Sequence, residues 1–235
     1  LTIRACARLS PLPAAVVTNS QAAIDHHTSL GYRPRQWVLI PNGIDTAVFA
    51  PDEGARASLR LELNLPRSAR LVGCVARFDP MKDHETLLAA ARRVAERHPD
   101  VHFVLAGAGV TDRNRAFGLE RIDGPLAGRV HLLGSRGDMP KVTAALDLAI
   151  SSSAFGEGFS NAIAEAMACG VPCVATRVGD AERIIGRPDF VVARRDSEAE
   201  RFIDVVRRTG IEPFREYVYG AHQGSKARSR SLAVA

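Results

Sequence analysis

The 235-residue chain carries 31 Lys or Arg against 26 Asp or Glu, a net charge of +5, with 24% charged and 46% hydrophobic residues. That balance fits a globular chain long enough to bury a full core and excludes the charge-rich, apolar-poor composition of disordered proteins. No run approaches the roughly 18 consecutive apolar residues of a membrane span, and Arg4 and Arg8 are not followed by the apolar core of a secretory signal.

Residues 14–19 (Ala-Ala-Val-Val-Thr-Asn) read as a buried strand, and residues 20–30 as a helix capped by Ser20 or Asn19. Trp37 to Ile40 forms a short strand ended by the turn signal Pro41-Asn42-Gly43. A helix over 54–64 leads to Pro66. Strand and helix then alternate: 70–76 and 83–97, 101–106 and 112–121, 129–133 and 139–146, 147–151 and 160–169, 172–176 and 180–185, with a last strand at 190–192. Short apolar runs separated by helices of this length predict parallel strands with right-handed crossovers, an α/β, Rossmann-like doubly wound sheet. Beyond it a helix over 197–208 gives way to a Gly-, Ser- and Arg-rich stretch at 220–230 with no core pattern. Residues 201–235 hold seven Lys or Arg against three Asp or Glu, so most of the net charge sits there. The near balance elsewhere argues against nucleic-acid binding by the core. A disordered basic terminus is the favoured reading of the tail, and contact with acidic lipid the alternative.

The most informative block is Gly156-Glu157-Gly158-Phe159-Ser160-Asn161, continuing through Glu165 to Cys169-Gly170-Val171-Pro172. Glu157 lies in a glycine-flanked loop that can approach a ligand closely. Asn161 and Glu165 stand at i, i+4 on one face of a helix whose free N–H groups and positive dipole end suit a phosphate. Carboxylates beside a phosphate site call for hydroxyl groups to hold, which points to a nucleotide sugar. Arg77 and Lys82 follow the first strand of the alternating region, at the carboxyl end where doubly wound folds bind ligands. Taken singly, each reads as a solvated cation, Glu165 as an exposed helix residue and Glu157 as a loop acid. Cys6, Cys74, Cys169 and Cys173 show no metal spacing and read as free thiols in a reducing compartment. Gly107-x-Gly109 lacks the third glycine of a dinucleotide fingerprint, which leaves a dehydrogenase as the weakest option.

The block resembles the Glu-x7-Glu motif of group 1 (family four) retaining glycosyltransferases with the GT-B fold. Further motifs fall in that family's order: Pro41-Asn42-Gly43-Ile44-Asp45 with Phe49; Gly73 to Phe78 with Lys82; Leu105-Ala106-Gly107-Ala108-Gly109; and Val178-Gly179-Asp180. The resemblance covers roughly residues 15–192. It implies that Arg77 and Lys82 clamp the diphosphate leaving group, that Glu157 holds the donor sugar's hydroxyls near C3, and that Glu165 holds the ribose. Arg77, Lys82 and Glu157 are then the catalytic set. Gly158, Phe159, Ser160 and Asn161 would complete the donor site, and the loop from Gly134 would lie on the nucleobase, with Arg136 either stacked there or an exposed cation. Asn42 and Gly43 would belong to an interdomain hinge. The family usually has Gly where Asp83 stands, and often Pro where Ser160 stands.

On this reading residues 1–35 are the remnant of an N-terminal acceptor domain, 36–195 the donor-binding domain and 196–235 a terminal helix with a basic tail. The chain, which begins at Leu1, would be a fragment that binds a nucleotide-sugar donor but turns over poorly. No essential metal or cofactor is expected, since Arg77, Lys82 and the helix after Ser160 supply the charge. The expected acceptor is a carbohydrate or lipid-linked hydroxyl, in surface polysaccharide or lipopolysaccharide synthesis, in the cytoplasm or at the inner face of the membrane. A non-hydrolysing sugar-nucleotide epimerase and a non-catalytic nucleotide-sugar binding module are the alternatives.

Overall fold

The computed structural model describes residues 2–117 and 122–192. A short helix, α1 (Thr2–Leu9), precedes β1 (Val16–Thr18), α2 (Gln21–Ser29) and β2 (Trp37–Leu39). β1 and β2 pair in parallel as a separate two-stranded sheet, with Val16 opposite Trp37. Ser20 caps α2: its backbone is extended and its hydroxyl accepts from Ala23 N at 3.1 Å. Sheet membership therefore places β2 with the first segment, whereas the sequence pattern counts residues from 36 onward with the larger domain.

After α3 (Glu53–Glu62) come the strands of the main sheet: β3 (Arg70–Val75), β4 (Val101–Ala106), β5 (Val130–Gly134), β6 (Leu148–Ser151), β7 (Cys173–Thr176) and β8 (Val191–Val192). Their spatial order is β5-β4-β3-β6-β7-β8, and every pair is parallel. The helices α4 (His84–Arg97), α5 (Met139–Ala144), α6 (Asn161–Ala168) and α7 (Ala181–Ile185) lie on the crossovers. The chain runs outward from β3 to β5, then returns to the other side of β3 with β6. That reversal is the topological switch of a doubly wound sheet, and it opens a crevice at the carboxyl ends of β3 and β6. The fold class matches the sequence expectation.

Alternate residues of the central strands feed two cores, as the pleat requires. Val72, Cys74, Phe103 and Leu105 pack with Leu87, Leu88, Ala91 and Val94 of α4. Leu71, Val104 and Ala106 pack with Leu59 of α3, Val142 of α5 and Ile163 of α6. One expectation fails over its described part: residues 112–117 form no α-helix. Among the described residues that stretch holds a 3-10 turn, Arg115–Phe117. Asn114 explains the difference, since its side chain donates to Gly109 O at 2.6 Å and accepts from Ala116 N at 3.1 Å, diverting the backbone from a helix. The expected helix at 197–208 and the basic tail lie outside the described residues.

The second core also contains a charge that the sequence pattern does not reveal. Asp147, with its side chain 4% exposed, pairs with Arg56 and with Arg60 (2.6 Å), and accepts from Leu71 N at 2.7 Å. Arg60 also donates to the carbonyls of Ala69, Ala145 and Arg56. Burial pulls the Arg60 guanidinium below its usual affinity for protons, and Asp147 opposes that pull. Asp147→Asn leaves Arg60 without its counter-charge and is expected to destabilise the fold by about 3–5 kcal/mol, read as a lower urea midpoint at unchanged slope; an unchanged midpoint would show that the cluster carries no net stability.

Candidate functional site

Two loops meet at the switch point. The loop after β3 turns at Asp79, whose carboxylate accepts from Met81 N at 2.9 Å while its carbonyl accepts from Lys82 N at 2.9 Å. Pro80 suits this turn because its ring presets the backbone of a first helical position. Asp83 follows with φ +48, a left-handed conformation that explains why glycine is usual there in the resembled family. The strain is offset locally, since the Asp83 carboxylate accepts from Thr86 N (3.1 Å) and Thr86 Oγ1 (2.8 Å) to cap α4. The loop after β6 runs beside it: Ala154 N donates to Met81 O at 2.8 Å, and Ser152 Oγ to Lys82 O at 2.7 Å.

Lys82 and Glu157 face each other across this seam as an ion pair through Glu157 Oε1, with side chains 17% and 11% exposed. Ser153 Oγ donates to the same oxygen at 2.7 Å. Arg77 lies at the rim, exposed, in contact with Asp79 at 3.2 Å. The hydrogen bond from Met81 N, more than the Arg77 contact, holds the Asp79 carboxyl below the usual range. The two expected cations thus arise from one turn, and Glu157 meets Lys82 directly.

Glu165 projects from the second turn of α6 and is half-buried, with no ion-pair or hydrogen-bond partner among the described residues. Burial raises its pKa above the ordinary carboxylate value. Ser160 is buried and makes no side-chain cap, so the first N–H groups of α6 lack a side-chain acceptor from their own turn. Asn161 sits at the helix start, its Oδ1 accepting from Asn42 Nδ2 at 2.8 Å, and Asn42 Oδ1 accepts in turn from Asn19 at 3.2 Å. Asn42, expected as a hinge residue, therefore bridges the first segment to α6. Phe159 is half-buried between Gly158 and Ser160.

The 156–158 loop is also held from the far side. Gly179 has φ +60, and a Cβ there would stand 2.5 Å from Gly158 O. Asp180 N donates to Gly158 O at 3.0 Å. The Asp180 carboxylate accepts from Gln21 N and Ala22 N, both at 2.8 Å, so it satisfies the free amides at the start of α2. Motif order marks 178–180 as a turn, yet the bonds join residues 158 and 159 positions apart in the chain, and no local pattern signals that.

The segment from Gly134 leaves β5 with φ +61. Arg136, which follows it, is paired with Glu62 and with Asp138 (2.8 Å), and those two acceptors raise its proton affinity further. Its guanidinium is thus committed to carboxylates. Three of the four thiols are buried, and burial pushes Cys74 and Cys169 up to about 12 and raises Cys173 as well; Cys6 is exposed. His84 is buried with neither ring nitrogen hydrogen-bonded, packed 5.7 Å from the rings of Phe78 and Phe117.

A parallel sheet of this order, with Arg77, Lys82 and Glu157 gathered at its switch point, has the layout of a doubly wound α/β domain. Residues 69–209 match the profile of glycosyl transferases group 1, and the chain belongs to that family. It is 31% identical over 171 residues to a D-inositol 3-phosphate glycosyltransferase of Segniliparus rotundus, covering 70% of this chain and 37% of that protein. It is 34% identical over 155 residues to a phosphatidyl-myo-inositol mannosyltransferase of Mycolicibacterium smegmatis, covering 65% and 37%. The chain thus matches little more than a third of the length of these curated relatives. Among solved structures it superposes on Anabaena HepE in complex with UDP with a TM-score of 0.78 at 26% identity, over 97% of this chain and 67% of that one. The C-terminal domain of a group 1 glycosyl transferase, LpcC of Francisella tularensis, shares the fold at 23% identity (TM-score 0.60, 74% and 91%).

Two expectations follow from the geometry. Asp180→Ala frees the amides of Gln21 and Ala22, so their hydrogen exchange should accelerate well beyond that of β3 and β4, with a stability loss of about 1–2 kcal/mol. Unchanged exchange at residues 21 and 22 would contradict the cross-chain cap. The second concerns His84. Burial lowers its pKa from 6.5, so the folded state binds fewer protons than the unfolded one; its contribution is full above that value and is lost as pH falls through the lowered one. Burial lowers His102 and His131 likewise. His84→Phe is therefore expected to flatten, without abolishing, the fall in urea-measured stability from about pH 7 to about pH 5; an equal slope would contradict it.

Proposed function

We propose that this chain is the donor-binding half of a retaining glycosyltransferase that moves a sugar from a nucleoside-diphosphate sugar to an acceptor hydroxyl. The observation that carries the reading is the Lys82–Glu157 pair at the switch point: a cation suited to a diphosphate and a carboxylate suited to sugar hydroxyls, side by side in the crevice of a parallel sheet. The diphosphate lies between Lys82, Arg77 and the N-terminus of α6, where the charge released as the glycosidic bond breaks is stabilised more than in the ground state. Glu165, partly desolvated and unpaired, accepts from the ribose hydroxyls, and Glu157 accepts from the sugar. Gly158, Phe159, Ser160 and Asn161 shape the wall between them. The nucleobase lies along the backbone from Gly134, with Arg136 acting through the loop it braces. No metal is required, since the protein's own cations supply the charge.

HepE, solved in complex with UDP, supports a nucleotide as the ligand of a protein with this fold. The curated relatives act on inositol phosphate and phosphatidylinositol, and one from Escherichia coli, 31% identical, on a GlcNAc-diphosphoundecaprenol. The acceptor on this reading is a polyol or lipid-linked sugar, and the site of action is the cytoplasm near the inner face of the membrane.

Titration calorimetry against UDP, GDP and ADP tests the reading. One diphosphate is expected to bind, with Lys82→Ala and Glu165→Ala each weakening it by roughly tenfold or more, the loss of a charged hydrogen bond. A folded chain that binds none of the three, or variants that bind as the wild type does, would overturn it.

A further inference from the structure

Glu157 is held by more than its ion pair. The Ser153 hydroxyl donates to Oε1, the oxygen that also faces Lys82, while Oε2 has no hydrogen-bond partner among the described residues. Ser153 is 1% exposed, and its carbonyl accepts from the buried Thr176 Oγ1 at 2.6 Å. Its neighbours are fixed too, by Ala154 N on Met81 O and by Ser152 Oγ on Lys82 O. The hydroxyl is therefore presented from a locked backbone, and its hydrogen bond adds direction that the ammonium, a rotatable point charge, does not.

We propose that Ser153 is a positioning residue that aims Glu157 at the donor sugar. The role rests on the donor-site reading above. A diphosphate entering the crevice competes for Lys82. When the ammonium turns to the phosphates, Ser153 remains on Oε1 and keeps Oε2 directed at the place the sugar occupies. Ser153 touches neither nucleotide nor sugar and acts through Glu157 alone. Its effect belongs to sugar recognition, and affinity for the free nucleotide does not depend on it.

The test compares the free nucleotides UDP and GDP with UDP-glucose, UDP-galactose and GDP-mannose as calorimetric ligands of the whole chain. The readout is the ratio of the Kd of the nucleotide to that of its sugar form. Ser153→Ala, and Ser153→Cys as the variant that keeps side-chain volume in the buried site, are expected to cut that ratio by roughly five- to tenfold, the loss of one charge-assisted hydrogen bond. Free-nucleotide affinity should stay within about twofold, and in a Glu157→Gln background the Ser153 substitution should cost nothing further. Equal weakening of both ligands, an undiminished ratio in the folded Cys variant, or additive losses with Glu157→Gln would overturn the role of Ser153 while the donor site stands. Wild-type binding of nucleotide with no gain from any sugar would overturn the assignment of Glu157 to the sugar, and Ser153 with it. No nucleotide binding at all would overturn the donor-site reading itself.

Discussion

An ammonium and a carboxylate held together at the mouth of a parallel sheet are the constraint around which the rest of this site is built. Lys82 and Glu157 are mostly withdrawn from water, with side chains 17% and 11% exposed. Removing two charges from water costs about as much as their attraction returns, so the pair contributes little to stability. The cluster around Asp147 offers the contrast. There one carboxylate receives two guanidiniums and a backbone amide, deep between α3 and the sheet. Asp147 has both oxygens engaged, whereas Glu157 Oε2 has no hydrogen-bond partner among the described residues. One arrangement secures the fold; the other, on the proposed reading, holds charge for a diphosphate and a sugar.

Keeping that pair in place requires backbone to approach backbone. The loop after β3 is pinned to β4 by Ala76 N on Ala106 O and Phe78 N on Ala108 O, and a Cβ at Gly107 (φ +148) would collide with the Ala76 carbonyl. The loop after β6 is pinned on one side to Met81 and Lys82 and on the other to Gly179 and Asp180. Asp180 then reaches α2, and Asn42 joins Asn19 to Asn161, so the first segment is tied to the same loop that carries Glu157. Contacts of this kind let the position of the first segment bear on the geometry of the pair.

Much of this was legible in the chain. From residue 70 on, the strands and α4 to α7 match the expected lengths to within a residue or two, because buried parallel strands must be short apolar runs and the crossovers between them amphipathic. Arg77, Lys82, Glu157 and Glu165 were singled out by their motifs, and the fold brings Lys82 and Glu157, 75 residues apart, into contact. The first part of the helix expected over 112–121 failed at 112–117, where Asn114 turns its own side chain onto the backbone, a competition that apolar periodicity does not register. What stayed hidden was non-local. Nothing in the residues around Asp147 or Asp180 announces that they bind arginines 87 and 91 residues away or amides 158 and 159 residues away. Arg136 read as either stacked on a base or an exposed cation because Glu62, its partner from α3, lies 74 residues earlier.

The central claim is that a nucleoside diphosphate enters at the carboxyl ends of β3 and β6. It is tested most directly by amide chemical-shift mapping of the isotopically labelled chain during titration with UDP, GDP and ADP. The account predicts that the shifts produced by the diphosphate that binds concentrate in residues 76–84, 134–138 and 153–165, with β1 and the amino ends of the sheet at Arg70, Asp100 and Arg129 unmoved. Shifts confined to those amino ends, or to α1 and α2, would contradict it.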